Sequence, residues 1–434
     1  MSEALGPANI MGLRRMQAHE GGTYVGGNFV AFSVGIAVFT ASPPELTAQF
    51  LRVPFLHSYI VTYFDGAVAL GCLLMALNGA LRFTPSERRL WGAIGLVILI
   101  RAVSLAFATD FVLEQVVSVL RYVETGAVLL LLANLLSISQ HRRVFLRAIF
   151  LGAVLDSVGG VLRFAFTAGE QRGIWLGVDT YKLLVFLLLV CCLSLSKARD
   201  KSWGILCALF LVVAILVNGT RAAVVLFLLS SALLFWTRRR AAVKSAATVA
   251  LLGAVGLIPV LSLFPQGRQV IEGRASQVLT GGGTIGLRFI LWRMAAAAYL
   301  AHPVIGIGSG GFARQQDALY LQINEAYDPQ YETLYEGLST HNTVLGIAAE
   351  TGTLGLIAYL VWVTAVVAIC IRGIRLEALH YDTYVLAACV CLLAMMAEDW
   401  WGQASFIPTS TSILGFILGW SRAHAPAMRT ASAR

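Results

Sequence analysis

The sequence predicts an all-α, polytopic integral membrane protein with about twelve transmembrane helices. Of its 434 residues, 58% are hydrophobic and only 13% are charged, whereas about a quarter of the residues in an ordinary soluble domain are charged. Apolar runs of about 15 to 25 residues recur along the chain, and about 20 apolar residues suffice for a helix to cross a bilayer. A single water-soluble globule is excluded, because too few polar residues are present to cover its surface.

The apolar runs, separated by polar breaks, place the predicted helices in order along the chain. The N-terminus is polar, with Arg14, Arg15 and no apolar run before Tyr24. We therefore expect no cleavable signal peptide, and the first span should serve as the insertion signal. The predicted spans cover residues 24–41, 56–81, 91–108, 115–138, 145–168, 176–196, 203–217, 222–236, 245–264, 348–371, 383–397 and 409–421.

Positive charge is distributed unevenly between alternate connections, and the net charge is +9. The short connections on one side contain only Arg52, Arg172 and Arg221. Cytoplasmic loops are rich in Lys and Arg, so this asymmetry predicts that both termini are cytoplasmic. The same asymmetry also explains the positive net charge without a nucleic-acid partner. The other side collects clusters that include Arg88, Arg89, Arg142, Arg143, Arg147, Arg238, Arg239, Arg240, Arg372, Arg375 and Arg422.

One outer connection, residues 265–350, is far longer than the others. It contains apolar and aromatic residues and is not rich in charge, so we expect a folded subdomain rather than a disordered loop. Helical spacing runs from residue 285 to 300, and Pro303 ends it. The predicted organisation is a helix bundle over 1–264, a loop subdomain over 265–350 that contains the candidate site, and C-terminal helices with a tail over 351–434.

The cysteines and the acidic residues do not form the patterns of a metal site. All seven cysteines lie within apolar runs, where neither a disulfide framework nor a thiolate metal site is expected. The sequence contains no Asp-x-Asp, His-Glu-x-x-His or Gly-x-Ser-x-Gly motif, which removes support for metal-dependent or serine-based chemistry. We therefore expect chemistry without a metal or another cofactor.

Two segments of the long outer connection are candidates for a functional role. Glycines 306, 308, 310 and 311 superficially resemble a phosphate-binding loop, but no strand is predicted before them, so a tight turn is the preferred interpretation. His341 precedes a long apolar helix and therefore stands at its outer end. A neutral histidine there can act as a general base, although an interfacial histidine without a chemical role is the alternative.

Two arginines are candidates for binding phosphate on the outer side. Arg221 follows Asn218-Gly-Thr between two apolar runs, and Arg288 lies in the long connection. A planar guanidinium binds phosphate oxygens in bidentate fashion, while an ordinary ion pair is an equal alternative for each arginine. Ionisable residues within the predicted spans are expected to form structural pairs with one another. These residues are Asp65, Arg101, Arg121, Glu124, Asp156, Arg163, Asp179 and Lys182.

The order and spacing of these motifs resemble those of bacterial O-antigen ligases and the related O-antigen and exopolysaccharide polymerases. Residues 302–312 and the element His341-Asn342-x-x-Leu345, continued by Glu350-x-Gly352-x-x-Gly355, are similar to the shared signature of that family. Asn218-Gly-Thr-Arg221 resembles its Ser-x-Ser-Arg-like element. The resemblance extends over about residues 170–420, whereas the N-terminal third resembles the family only in hydropathy.

The resemblance implies a multi-pass glycosyltransferase of the bacterial inner membrane with its active site on the periplasmic face. It implies transfer of O-antigen polysaccharide from undecaprenyl pyrophosphate to a sugar hydroxyl of lipid A-core, by a metal-independent and inverting reaction. His341 matches the acceptor-activating histidine, and Arg221 and Arg288 match arginines that bind the pyrophosphate. Asn342 and Glu350 become supporting candidates.

Two other functions remain open at this point. A polymerase of the same family would use a carrier-linked repeat unit as acceptor, and the shared motif does not separate it from a ligase. A secondary transporter or flippase would also suit twelve spans with buried charges. The absence of visible repeats in the two halves, and the concentration of polar residues in one outer connection, argue against transport.

Overall fold

The computed structural model describes residues 26–40, 62–105, 112–166, 180–195, 202–218, 221–237, 243–248, 251, 284–323, 340–380, 382–398 and 408–431. Within these ranges all regular secondary structure is helical, which confirms the predicted all-α class. The helices are α1 Gly27–Ala37, α2 Tyr63–Leu77, α3 Arg88–Leu105, α4 Val112–Leu135, α5 Ser139–Phe166, α6 Thr180–Leu195, α7 Ser202–Asn218, α8 Arg221–Trp236, α9 Thr284–Ala301, α10 Gln316–Ile323, α11 Thr343–His380, α12 Thr383–Glu398 and α13 Pro408–Ala431.

These helices coincide with eleven of the twelve predicted spans. The predicted span over 245–264 lies mostly outside the described residues. The helix predicted over 285–300 is α9, and it ends just before Pro303 as expected. The helix predicted to begin at residue 348 begins instead at Thr343, because a capping residue lies just before that position.

Two of the described helical stretches are long and apolar enough to cross a membrane, Ser139–Phe164 and Thr343–Ala378. Six further apolar helices are shorter, so the number of twelve spans stays a prediction. Large apolar side chains lie exposed on the outer faces of the helices, among them Leu99 and Leu228. An extensive exposed apolar surface is unfavourable in water and is typical of a protein surrounded by lipid.

The centre of the structure is formed by α6, α12 and α13, which are buried on nearly all sides. Residues 183–190, 385–392 and 409–420 are almost completely inaccessible. Helices that are apolar all round belong in the interior of a bundle. Around this centre α13 packs on α4, α11 packs on α3, and α6 packs on α7. The contact between α11 and α3 is the one that bears on the candidate site.

A second, smaller apolar cluster joins α9, α10 and the beginning of α11. Its buried members include Leu291 of α9, Phe312, Tyr320 of α10 and Ala349 of α11. This cluster shows that residues 284–323 and the start of α11 pack together. The boundaries 265 and 350 of the predicted loop subdomain remain predictions, since residues 252–283 and 324–339 lie outside the described residues.

Ionisable residues within the helices form pairs, as predicted for several of them. The Arg121 guanidinium lies 3.0 Å from a carboxylate oxygen of Asp65 and 2.7 Å from one of Glu124. Arg101 pairs with Glu350 at 3.0 Å. Because each pair offsets part of the cost of removing charges from water, pairing explains why these residues are tolerated there. Asp179 lies outside the described residues.

Candidate active site

His341 immediately precedes α11, and its backbone is fixed by a helix cap. The Asn342 side-chain oxygen accepts a hydrogen bond from the Leu345 amide at 3.0 Å, so Asn342 is the N-cap residue of α11. The buried Thr340 hydroxyl donates to the Asn342 carbonyl at 2.7 Å. These bonds account for the start of α11 at Thr343, and they give Asn342 a structural task beside His341.

The backbone of His341 adopts a left-handed conformation, with φ at 48°. Among the described residues other than glycine, it alone has a positive φ. This conformation costs a residue with a side chain of the order of 1–3 kcal/mol, and such residues cluster at functional sites. The neighbouring cap and the packing of α11 hold the histidine in this conformation.

The surroundings of His341 favour the neutral imidazole. The side chain is partly buried, and burial lowers the pKa of His341 below its ordinary value. The positive charge of Arg288, on α9, lowers the pKa further. A neutral imidazole at pH 7 can accept a proton, which is the form that a general base requires. The fold therefore brings two of the predicted site residues into electrostatic contact.

Arg221 is the first residue of α8, and the preceding helix α7 ends at Asn218. Its side chain lies outside the described residues. The predicted partnership of Arg221 with Arg288 therefore stays a prediction.

The glycine-rich segment, residues 303–311, is a turn that inserts into a break in α11; we call it the glycine turn. The break is at Gly352, where φ is 62° and ψ is −157°. On one side of the break the amides of Ile307 and Gly308 donate to the carbonyls of Ala349 and Glu350, at 2.9 and 3.0 Å. These amides are thus used within the protein, which confirms a turn and argues against a phosphate loop.

On the other side of the break the direction of donation reverses. The amides of Thr353 and Leu354 donate to the carbonyls of Pro303 and Val304, at 2.8 and 3.3 Å. A Cβ atom at Gly352 would collide with the backbone of Val304, and one at Gly306 would collide with the backbone of Glu350. Glycine is required at both positions because two backbones approach each other directly.

Glu350, which the sequence named as a supporting candidate, pairs with Arg101 of α3. One guanidinium nitrogen of Arg101 donates to Glu350 at 3.0 Å and to the Ser309 hydroxyl at 2.6 Å. The guanidinium also stacks on the ring of Tyr122 of α4, 4.0 Å from its centroid. The sequence named Arg101 as an ionisable residue within a predicted span and Glu350 as a supporting candidate for the site, but it did not indicate that they meet.

The arrangement offers a histidine with a lowered pKa just before α11, and the cation Arg288 of α9 acts on it. In the described part of the chain, no group of three or more His, Cys, Asp or Glu side chains could hold a metal ion. The absence of a metal from the reaction stays a prediction. A base beside a cation suits a reaction in which an acceptor loses a proton and a phosphate leaves with negative charge.

Residues 206–360 match the sequence model of the family described as O-antigen ligase. The matched region runs from within α7 to within α11, and it includes Arg221, Arg288 and His341. A comparison with curated proteins gives no match. The match confirms the family resemblance found in the motifs. Residues 206–360 of this chain are therefore similar in sequence to the O-antigen ligase family, the class that comprises O-antigen ligases and polymerases.

Proposed function

We propose that this protein is an O-antigen ligase. It transfers O-antigen polysaccharide from undecaprenyl pyrophosphate to a sugar hydroxyl of lipid A-core, on the periplasmic face of the bacterial inner membrane. The observation that carries the proposal is that His341, whose pKa is lowered by burial and by the charge of Arg288, lies within the region that matches the family. Both termini are proposed to be cytoplasmic, from the distribution of Arg and Lys.

In the proposed reaction His341 removes the proton of the acceptor hydroxyl. The acceptor oxygen then forms a bond to the anomeric carbon of the donor sugar, and the bond from that carbon to the phosphate oxygen breaks. The electron pair leaves with undecaprenyl pyrophosphate, while the proton remains on the imidazole. A single displacement of this kind inverts the anomeric configuration, and it needs no covalent glycosyl-enzyme.

The arginines supply the second requirement of this chemistry. Negative charge develops on the departing pyrophosphate, and a fixed guanidinium stabilises it without reorganisation during the reaction. Arg288 is proposed to serve this purpose, together with Arg221. Since Arg288 also lowers the pKa of His341, one cation both holds the leaving group and keeps the base neutral.

Deletion of the protein in its Gram-negative host tests the reaction class. For a ligase we expect loss of all O-antigen bands from lipopolysaccharide on a gel, with carrier-linked polymer accumulating. A polymerase would leave a band of core plus one repeat unit. Unchanged bands would contradict both functions and leave transport as the alternative.

Three substitutions separate the proposed roles. His341→Ala removes the base, which typically contributes about 100-fold to 10,000-fold in rate, so transfer should fall while donor binding persists. Arg221→Ala and Arg288→Ala should weaken both donor binding and transfer, with only partial rescue by lysine. Arg293→Ala is the matched control, because this exposed arginine of α9 donates to the Ile323 carbonyl instead. Near-normal transfer by His341→Ala would contradict its role as the base.

A further inference from the structure

The break in α11 divides the part of the helix that directly follows His341 from the rest of the helix. Residues 343–351, which we call the first segment of α11, lie before Gly352, where the backbone leaves helical geometry. A continuous helix would transmit its orientation through its own hydrogen bonds. Here the glycine turn supplies the bonds across the break. The contacts that hold the first segment and the glycine turn together therefore set the orientation of His341.

Arg101 contacts both the first segment of α11 and the glycine turn. Its guanidinium contacts Glu350 in the first segment and Ser309 in the glycine turn, and it stacks on Tyr122 from a third direction. Arg101 is 5% exposed and Ser309 is fully buried. An arginine so enclosed is not open to a substrate phosphate, so its charge serves the junction itself.

We infer that Arg101 is a positioning residue: by clamping Glu350 and Ser309 to α3, it sets the placement of His341 for transfer. The inference rests on the proposed function, since it assumes that His341 takes part in the reaction. It extends beyond the region 206–360 that matches the family, because Arg101 lies in α3, before that region. The active site would then depend on an N-terminal helix that the family match does not include.

A small tilt of the first segment at the Arg101 contacts displaces its other end, next to His341. Glu350 follows Thr343, the first residue of α11, by seven residues, a separation of about 10 Å along a helix that rises 1.5 Å per residue. A tilt of about 5° at the clamp would move the far end of such a segment by roughly 1 Å, and a misplacement of that size costs up to about 100-fold in rate. Small movements at Arg101 are therefore sufficient to lower catalysis without loss of the fold.

The structure also contains a matched control for the clamp. Arg422 of α13 forms a bidentate pair with Glu87, just before α3, at 2.7 and 2.5 Å. Arg422 is nearly as buried as Arg101, and Glu87 is more buried than Glu350. Arg422 therefore offers an ion pair of the same chemistry anchored to the other end of α3. Breaking either pair leaves a buried charge without its partner, which destabilises a protein in either case.

The experiment compares Arg101→Gln, Arg101→Lys, Glu350→Gln and the double variant Arg101→Gln/Glu350→Gln with Arg422→Gln in the purified full chain. Transfer is measured as kcat and donor KM per folded molecule, and hydrogen exchange is measured over residues 343–351. We expect Arg101→Gln to lower kcat about 10-fold to 100-fold, with donor KM changed less than about threefold, and to speed exchange in the first segment. Arg101→Lys should fall between Arg101→Gln and the unmodified protein.

The double variant should lose no more than the worse single variant, since both substitutions break the same contact. Arg422→Gln should lower thermal stability but leave kcat and exchange over 343–351 unchanged. If Arg101→Gln matches Arg422→Gln in kcat and exchange, the positioning role is wrong. An active His341→Ala protein would instead contradict the proposed function, while the exchange data would still report whether Arg101 holds the segment.

Discussion

Replacing Gly352 with alanine should detach the glycine turn from α11 and inactivate the enzyme. Gly352 has φ 62° and ψ −157°, a combination that belongs to a region occupied almost only by glycine. A Cβ atom there would also meet the backbone carbonyl of Val304, and backbone atoms cannot move aside as a flexible side chain does. Either the turn withdraws or α11 straightens, and both outcomes displace His341.

The structure gives the size of the effect. The backbone conformation alone costs an alanine about 1–3 kcal/mol. Each of the four backbone hydrogen bonds between the glycine turn and α11 is worth about 0.5–1.5 kcal/mol. A straightened helix regains some bonds of its own, so we expect a destabilisation of at least about 2 kcal/mol from the strain and the incomplete exchange of bonds. Displacement of His341 should lower transfer about 100-fold.

Gly95→Ala is the matched control for this substitution. Gly95 lies within α3, and no atom lies near the position of an added Cβ. Alanine in a helix interior is favoured over glycine by about 0.5–1 kcal/mol, so this variant should be unchanged or slightly more stable. The assay is thermal unfolding in detergent together with the transfer rate. If Gly352→Ala unfolds and transfers like Gly95→Ala, the proposed junction between the turn and α11 is wrong.

The remaining predictions concern protonation, capping, topology and metal dependence. Since burial and Arg288 lower the pKa of His341, transfer should persist below pH 6.5, the ordinary histidine value, and then fall. Arg288→Gln removes a cation and should move that fall to higher pH in a rate–pH profile; a fall already above pH 6.5 in the unmodified protein would contradict a lowered pKa. Asn342→Ala should cost about 1 kcal/mol of stability in thermal unfolding, because the N-cap bond to Leu345 is lost, whereas Asn342→Asp should cost less. A reporter fused after Arg240 should be cytoplasmic and one fused near Tyr327 periplasmic; the reverse result would overturn the orientation. Transfer should continue in a chelator, and loss of transfer that a divalent cation restores would contradict metal-free chemistry.

The sequence by itself determined the helices and the beginning of the candidate site. Helices such as α6 and α12 follow from runs of apolar residues between polar breaks, and those signals are local. The turn formed by the glycines and the helix that follows His341 were also evident from residues adjacent in the chain. The predicted start of α11 was wrong by five residues, because the N-cap bond between Asn342 and the Leu345 amide begins the helix earlier.

Only the tertiary structure decided which distant residues meet. Glu350 pairs with Arg101, 249 positions away in the chain, and no local pattern records such a pairing. The break at Gly352 was invisible because a continuous helix also tolerates glycine, and only the approach of the Val304 backbone makes a positive φ necessary there. The same holds for Arg288 and His341. Arg288 lowers the pKa of His341 because α9 packs on α11, and packing between helices depends on side chains that are far apart in sequence.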